Sequence, residues 1–410
     1  MTRSLAVLLW ALAGTLAAQS FEDEFRQGLL ALSGRDLPVA RQHLESASQL
    51  QPENAMVWAA LAQTYLHGKE TVLADRAAGR ATRLAPGDSP VQHALAMFYS
   101  ETGDFAKAAS AERLYASRPG ADAASAAGAA DLSLRAGQAA EAVQWAQTAV
   151  KRGDSPQAHH LLGMAYAASN RPQEADRELR TAAERDPLAE SYAYDLGQLQ
   201  LRRGDFASAA ATLEKACRRF PNSAQIHLAY GVAAYGQRRF ADAIDAFLRV
   251  TVIDPAVEQP YVFMARILPQ AADRLPQVVA AFAAWEKAEP DNYLAVCLHA
   301  KALSAAGDTP EIEAKLRRSI QLNDAYWESH YELGVLLARN REWKPAAAEL
   351  SRSIDLNPKV AAAHFQLARA FEKLGDPERA QAERAEHQRL TADETGAASG
   401  LPGPKDKPLP

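Results

Sequence analysis

The sequence predicts an all-α protein built as an array of about eleven stacked helix pairs. Two observations support this prediction: a proline recurs about every 34 residues, and a glycine or alanine recurs at one fixed place in each interval. A fixed period of this length is typical of stacked helical hairpins, because one hairpin cannot bury its own apolar face and must pack against its neighbours. Such an array grows by repetition, so 410 residues fit one continuous array.

The proline spacing sets the boundaries of the repeats. Pro187, Pro221 and Pro255 lie 34 residues apart. Proline cannot occupy a helix interior, and its preset backbone angle suits the start of a new repeat. The same spacing divides residues 21–394 into eleven repeats: 21–54, 55–88, 89–121, 122–155, 156–189, 190–223, 224–257, 258–292, 293–326, 327–360 and 361–394.

The eighth residue of every repeat is small. The eleven residues are Gly28, Ala62, Ala96, Ala129, Gly163, Gly197, Gly231, Ala265, Ala300, Gly334 and Ala368. Later in the repeat, the second helix carries a large apolar residue such as Leu44, Leu179 or Phe247. Small against large at helical spacing predicts helices that approach closely, with each large side chain filling space that a small residue leaves.

Several repeats share one set of residues at constant offsets. Residues 156–189 carry Leu162, Gly163, Tyr166, Ala175, Leu179, Ala182 and Pro187, and residues 327–360 carry Leu333, Gly334, Ala346, Leu350 and Pro358. With these residues the chain resembles the tetratricopeptide repeat (TPR) family over about nine tenths of its length. The resemblance implies a right-handed superhelical solenoid whose first helices line a concave groove, but it does not name a partner.

The two ends of the chain differ from the array. Residues 1–20 are a predicted signal peptide: Arg3 precedes an apolar run over residues 5–17, and small residues follow at Ala18 and Ser20. An uncleaved membrane anchor is the alternative, although the apolar run is short for a bilayer. We therefore expect an exported protein, periplasmic or secreted, with no membrane span after cleavage. Residues 395–410 are rich in glycine and proline and predict a disordered tail.

Composition and motifs argue against several classes of function. The formal net charge of -5 and the pI near 6.1 give no broad basic surface, which disfavours nucleic-acid binding. The chain has no HExxH, no Gly-rich phosphate loop, no GxSxG and no CxxC, so we predict no catalytic site, no cofactor and no metal site. Cys217 and Cys297 lie 80 residues apart, and in a repeat array they should not meet.

Two stretches depart from the repeat pattern. Residues 120–137 are rich in alanine, serine and glycine, so we expect the fourth repeat to be the least rigidly packed of the eleven. Pro269 and Pro276 flank residues 270–275 in the eighth repeat, which predicts that its first helix ends early. Either stretch could be a hinge or an ordinary turn, and the sequence leaves both interpretations open.

The repeat pattern also predicts which side chains face the groove, since the fifth and ninth residues of each first helix share one side. The lining is mixed, and it becomes more cationic toward the C-terminus. The predicted partner-binding residues are Phe25, Gln63, His93, Met97, His160, Met164, Tyr194, Gln198, Arg266, Lys301, Tyr331 and Arg369. This lining, in a chain without catalytic motifs, favours a non-catalytic scaffold that binds a peptide or protein partner in the groove.

A second hypothesis comes from histidine and methionine in this lining. His93 and Met97 lie four residues apart, and His160 and Met164 repeat that spacing. Imidazole and thioether together suit copper(I). Each pair supplies only two ligands, however, and a whole repeat separates the pairs. The alternative function is therefore a binding protein for copper or a glycan that uses the His/Met and aromatic positions.

Overall fold

The computed structural model describes residues 20–307 and 309–399, with side chains as far as residue 392. Every regular element within these residues is helical, which confirms the predicted all-α class. Residues 1–19 of the predicted signal peptide, and the tail from residue 400 onward, lie outside the described residues. No helix in the described part of the chain combines the length and the apolar character that a membrane span requires.

The described helices form two compact halves, and the division falls after Leu199. The helices of the N-terminal half are α1 (20–33), α2 (Leu37–Leu50), α3 (Ala55–His67), α4 (Thr71–Leu84), α5 (Ser89–Glu101), α6 (Phe105–Ala116), α7 (Ala123–Arg135), α8 (Ala139–Arg152), α9 (Pro156–Ala168), α10 (Pro172–Arg185) and most of α11 (Glu190–Arg202).

The C-terminal half continues the same alternation. Its helices are α12 (Phe206–Arg219), α13 (Ala224–Gly236), α14 (Phe240–Ile253), α15 (Gln259–Arg266), α16 (Leu275–Ala288), α17 (Tyr293–Ala306), α18 (Glu311–Leu322), α19 (Trp327–Arg339), α20 (Trp343–Leu356), α21 (Ala361–Lys373) and α22 (Pro377–Ser399). Odd-numbered helices are the first helices of their repeats, and even-numbered helices are the second. The array was predicted to end at residue 394, but α22 continues to Ser399, so residues 395–399 are helical rather than part of a disordered tail.

Several first helices begin at a side-chain cap close behind the recurring proline. Asn54 accepts a hydrogen bond from the backbone N–H of Met56, and Ser223 accepts one from Ile226. These bonds satisfy backbone donors that the first turn of a helix leaves without a partner. At these two helices the proline lies near the end of one repeat, and the cap starts the first helix of the next.

Glycine at the eighth position accommodates a large side chain of the same helix pair. A Cβ added to Gly163 would lie 2.6 Å from Leu179 Cγ, and one added to Gly334 would lie 2.6 Å from Leu350 Cγ. Contacts this short do not occur between real Cβ atoms, so only glycine lets the two helices pack at this distance. The predicted small-against-large packing is confirmed, and it joins the two helices within a pair.

The residue at the eighth position correlates with the residue sixteen positions later. Where the eighth residue is glycine, the residue sixteen positions later is Leu44, Leu179, Leu213, Phe247 or Leu350. Where the eighth residue is alanine, the residue at the later position is Ala78, Glu112, Trp145, Ala281, Leu316 or Arg384. When the eighth residue is alanine, the residue sixteen positions later is therefore not leucine or phenylalanine, and Leu316 is the exception.

The eighth repeat departs from the others as predicted, because α15 is only 8 residues long. Two short 3-10 helices, Leu268–Gln270 and Ala272–Arg274, then lead into α16. Leu268 is buried, and the guanidinium of Arg274 binds Asp245 of α14 at 2.5 and 2.7 Å, which fixes this connection at two points. In the fourth repeat, α7 is a regular helix over Ala123–Arg135.

Candidate partner-binding face

First helices contact one another directly along each half. The contacting pairs are α3 with α5 and α7 with α9 in the N-terminal half, and α15 with α17, α17 with α19 and α19 with α21 in the C-terminal half. Within each half, we call the solvent-exposed side of these helices the first-helix face of that half. Polar contacts cross between neighbouring helices there: Gln63 Nε2 donates to the carbonyl of Ala94 at 3.4 Å, and His67 Nε2 lies 2.9 Å from Glu101 Oε2.

His93 is engaged with its own helix pair rather than free on the face. Its Nδ1 lies 2.8 Å from Oε2 of the buried Glu112, and its ring stacks on Tyr115 with 4.2 Å between centroids. The hydrogen bond with Glu112 raises the pKa of His93 above its ordinary value. Met97, one turn further along α5, is 49% exposed and remains available to a partner. At the front of the same half, Phe25 stacks on Phe21 with a centroid separation of 5.8 Å.

His160 connects α9 to the next first helix, α11. Its Nε2 lies 2.7 Å from Asp195 Oδ2, and its ring stacks on Tyr192 at 4.6 Å. Met164 packs against the apolar core of this half and is only half-buried. Half-buried Tyr194 and Gln198 occupy the predicted positions on α11.

Both predicted His/Met pairs therefore have one imidazole nitrogen hydrogen-bonded to a carboxylate, which competes with metal coordination at that nitrogen. Among the residues with described side chains, no group of three or more His, Cys, Asp or Glu is placed to hold a metal ion. Nothing in this geometry favours the copper hypothesis over the use of these side chains as packing and contact residues.

In the C-terminal half, Lys301 is neutralised by glutamates of the next first helix. Its Nζ binds Glu328 and lies 3.5 Å from Glu332 Oε1. Glu328 also accepts a hydrogen bond from the Tyr326 hydroxyl at 2.6 Å. Burial raises the pKa of Glu332, and the two carboxylates raise the pKa of Lys301 despite the opposing effect of its own burial. This end of the face is therefore less cationic at Lys301 than the sequence predicts.

The remaining predicted residues of this half lie at the surface or close below it. Tyr331 is half-buried near Trp327, with 6.4 Å between ring centroids, and burial raises the pKa of its hydroxyl. Arg266, at the end of α15, is exposed. Arg369 is also exposed and lies over the ring of Phe365 at 6.0 Å, and that ring is itself 44% exposed. The predicted face therefore offers aromatic and cationic side chains here.

The repeat positions used to predict the face did not include the carboxylates that contact these side chains. The missed residues are Glu112, Asp195, Glu328 and Glu332. Three of them occupy the second or sixth position of a first helix, one turn from the predicted positions. Glu112 could have been found, because it stands where several other repeats carry leucine or phenylalanine.

Comparison with known families agrees with this arrangement. The profile described as tetratricopeptide repeat matches residues 25–89, 160–224, 194–258 and 331–389, which together make up more than half of the chain. The chain belongs to the tetratricopeptide repeat family. No curated protein matches the sequence. The TPR fold of the chain indicates a protein–protein interaction scaffold, and such scaffolds are typically non-catalytic.

Solved structures of TPR proteins are similar to this chain at low sequence identity. Yeast Tom70 is 15% identical, with a TM-score of 0.39 over 93% of this chain and 95% of that one. The C-terminal part of a TPR protein from Cytophaga hutchinsonii is 15% identical, with a TM-score of 0.44 over 66% of this chain and 98% of that one. A TPR protein from Parabacteroides merdae is 17% identical, with a TM-score of 0.40 over 59% and 96%. Family membership rests on the matched repeats rather than on these structures.

Proposed function

We propose that this TPR protein is a non-catalytic scaffold that binds a peptide or protein segment on its first-helix face, in the cell envelope or outside the cell. The observation that supports the proposal most is that polar contacts bridge neighbouring first helices in both halves. Gln63, His160 and Lys301 each reach the next first helix in this way. A face held together before binding loses little conformational freedom when a partner arrives, which favours affinity.

The side chains of the face also suit a protein partner. Met97 and Phe365 are exposed, and Tyr194 and Tyr331 are half-buried with part of each ring accessible. Methionine and aromatic side chains are enriched at protein interfaces, because they supply a large contact area and adapt to different surfaces. Each half presents such residues, so each half offers contacts to a partner.

The location is part of the same proposal and is supported by the sequence of residues 1–20. N-terminal sequencing of the mature protein, purified from envelope and culture-medium fractions, tests it. We expect a start at Gln19 or Phe21, after cleavage behind Ala18 or Ser20. Recovery of the protein only from the cytoplasm with its leader intact would refute this part.

Site-specific photo-crosslinking tests the binding face. A photoreactive amino acid at Met97 or Arg369 is expected to capture the same partner repeatedly in growing cells. The matched control is Val252, which is 73% exposed on the second helix α14. Capture from Val252 but not from Met97 or Arg369 would place binding elsewhere and overturn the proposal.

A variant then connects capture to named side chains. Met164→Ala combined with Tyr194→Ala removes contact area from the face without touching the polar bridges. We expect at least tenfold weaker capture of the partner found by crosslinking. An unchanged affinity in a variant that folds normally by circular dichroism would show that α9 and α11 do not take part.

A further inference from the structure

A pocket in the N-terminal half lies apart from the predicted partner-binding residues. It has a volume of about 340 Å³ and is open to solvent on one side. Gln92 and Tyr99 of α5, Ala111 and Leu114 of α6, and Gln138 just before α8 are among the residues that line it. Ligand pockets in proteins begin at about 300 Å³, so a pocket of this size can hold one side chain and the backbone next to it.

The pocket lies where the third repeat lacks a side chain that other repeats carry. At the twenty-third position of their repeats, Glu178, Glu349 and Glu383 each contact the histidine at the fourth position of the same repeat. In the third repeat the twenty-third residue is Ala111 and the fourth is Gln92. The methyl group of an alanine fills much less space than a glutamate side chain, so this helix pair is left open beside Gln92.

Leu114, three positions further along α6, is a second departure from the other repeats. At the matching position the second repeat has Arg80, which donates to the carbonyl oxygen of Pro52 at 3.1 Å. The seventh repeat has Arg249, which donates to that of Pro221. Leucine cannot form such a bond, and Leu114 is 47% exposed. The third repeat therefore has an apolar wall where these repeats have a cation.

Gln92 offers a hydrogen-bond acceptor in this pocket. Its Nε2 donates to the carbonyl oxygen of Ala85 at 3.2 Å, and this bond fixes the orientation of the side-chain amide. Its Oε1 has no hydrogen-bond partner among the described residues, although the side chain is only 5% exposed. Since an amide oxygen can accept two hydrogen bonds, a ligand N–H inside the pocket would satisfy it.

Gln138 offers a hydrogen-bond donor. Its Oε1 accepts a hydrogen bond from Arg113 Nη1 at 2.5 Å, which orients this second amide. Its Nε2 has no acceptor within the part of the chain that the structure describes. The amides of Gln92 and Gln138 therefore supply an acceptor and a donor to the same pocket. A peptide group needs these two functions, because it has one N–H and one C=O.

The rest of the lining favours an uncharged ligand with an apolar side chain. Lys107 is the charged residue in the lining, and its ammonium is paired with Asp104 at 2.7 Å. The charge of this lysine is therefore already balanced by a residue of the same repeat. Ala111, Leu114 and the ring of Tyr99 provide apolar surface, which gains free energy when an aliphatic side chain covers it.

We propose that this pocket binds one apolar residue of a partner's extended peptide segment. The peptide group is hydrogen-bonded by Gln92 and Gln138, and the apolar side chain packs against Ala111 and Leu114. None of these four residues belongs to the predicted partner-binding set of the first-helix face. The pocket is therefore a second binding site, and it does not depend on the function proposed for that face.

Methyl NMR spectroscopy of the full-length mature protein tests the proposal with N-acetyl-leucine-N-methylamide as the probe. The methyl signals of Leu114 and Ala106, which both line the pocket, are followed during titration. We expect saturable shifts with a dissociation constant on the order of 1 mM, as for other ligands of this size. N-acetyl-glycine-N-methylamide has the same peptide groups without the side chain and should bind about tenfold more weakly. The absence of saturable shifts, or equal binding of the two probes, would overturn the proposal.

Ala111→Glu tests the location of the site, because it introduces the side chain that the fifth repeat has at this position. It should weaken binding of the leucine probe about tenfold or more by filling the pocket. The matched control is Ala246→Glu, at the twenty-third position of the seventh repeat, and it should leave binding unchanged. Equal binding by wild type and a folded Ala111→Glu protein would place the probe elsewhere.

Two milder variants test the individual contacts and keep the proposal falsifiable if Ala111→Glu does not fold. Gln92→Met preserves the size of the side chain but removes the acceptor, and we expect binding about fivefold weaker. Leu114→Ala shortens an exposed side chain and should also weaken binding about fivefold, as followed through the Ala106 methyl signal. Wild-type affinity in both variants, with a normal circular dichroism spectrum, would refute recognition of an apolar residue in this pocket.

Discussion

The backbone of Gly231 lies so close to the ring of Phe247 that a Cβ on residue 231 would overlap Phe247 Cε1. Gly231→Ala should therefore lower the free energy of unfolding by about 1–3 kcal/mol, because the ring or the helix must move to admit one methyl group. Urea unfolding monitored by circular dichroism measures the change. Gly87→Ala is the control, since no atom lies within 4 Å of a Cβ there. Equal stability of the two variants would show that the close packing does not depend on glycine.

A double substitution in another pair tests the correlation between the two positions. Leu350→Ala alone should cost about 2–5 kcal/mol. Combined with Gly334→Ala, it should cost less than the sum of the two single changes, because the alanine methyl group occupies space that the leucine vacates. The second repeat has this combination naturally, in Ala62 and Ala78. Strict additivity would contradict the interpretation.

Replacement of Lys301 by methionine should expose the repulsion between the glutamates beside it. Lys301→Met leaves Glu328 and Glu332 without their cation, and we expect a loss of about 2 kcal/mol at pH 7.5, below the value of about 3–5 for a fully buried pair. Burial already raises the pKa of Glu332, so the cost of its charge is present at high pH and is relieved as the pH falls and the group is protonated.

Thermal and urea unfolding of wild type and Lys301→Met at pH 5 and pH 8 measure this difference. The deficit should be smaller at pH 5. The double variant Lys301→Met with Glu332→Gln should recover part of the stability at pH 8. A deficit that is the same at both pH values would mean that the lysine acts through packing alone.

The pair of His93 and Glu112 predicts a further pH dependence. The hydrogen bond raises the pKa of His93, so its contribution to stability is present below the ordinary value of 6.5 and is lost as the pH rises through the folded value. Glu112→Gln should therefore destabilise the protein more at pH 6 than at pH 8, as measured by urea unfolding. Glu101→Gln, whose partner His67 is exposed, is the comparison and should have little effect.

Arg249 anchors the turn between two repeats. Its guanidinium donates to the carbonyl oxygen of Pro221 at 3.1 and 2.9 Å and to Asn222 Oδ1 at 2.9 Å. Arg249→Ala should cost about 1 kcal/mol and speed amide exchange at the start of α13. Hydrogen exchange of residues 222–226 measures this effect, and Arg218→Ala, an exposed arginine on α12, should leave it unchanged. Unchanged exchange in Arg249→Ala would show that the turn is held by other contacts.

Much of the fold follows from the sequence because its determinants are local and repeated. The spacing of Pro187, Pro221 and Pro255 predicts where the turns lie. Gly163 predicts a close approach between its own helix, α9, and α10, which carries Leu179. The early end of α15 was also predictable, since Pro269 cannot continue a helix. The extension of α22 to Ser399 was not predicted, because glycine and proline in the following residues suggested an earlier end.

The side-chain partners on the first-helix face were harder to predict. The repeat pattern states which side of its own helix Lys301 occupies, but not that Glu328 and Glu332 of another helix reach it. Such pairs depend on the rotation and axial shift between neighbouring helices, which a single repeat does not encode. His93 and Glu112 lie nineteen residues apart in the sequence, but this spacing indicates a contact only when the packing of their two helices is known.

The close packing of Gly163 against Leu179 has a consequence for how repeat arrays gain and lose repeats during evolution. Both members of the fit belong to the same 34-residue segment, so a duplication of the coding region for that segment copies the cavity together with the side chain that fills it. In a duplicated repeat the glycine and the leucine that packs against it are both present, so the new repeat only needs compatible contacts with its two neighbours. A deletion of a whole segment removes both members at once and leaves no unfilled space behind.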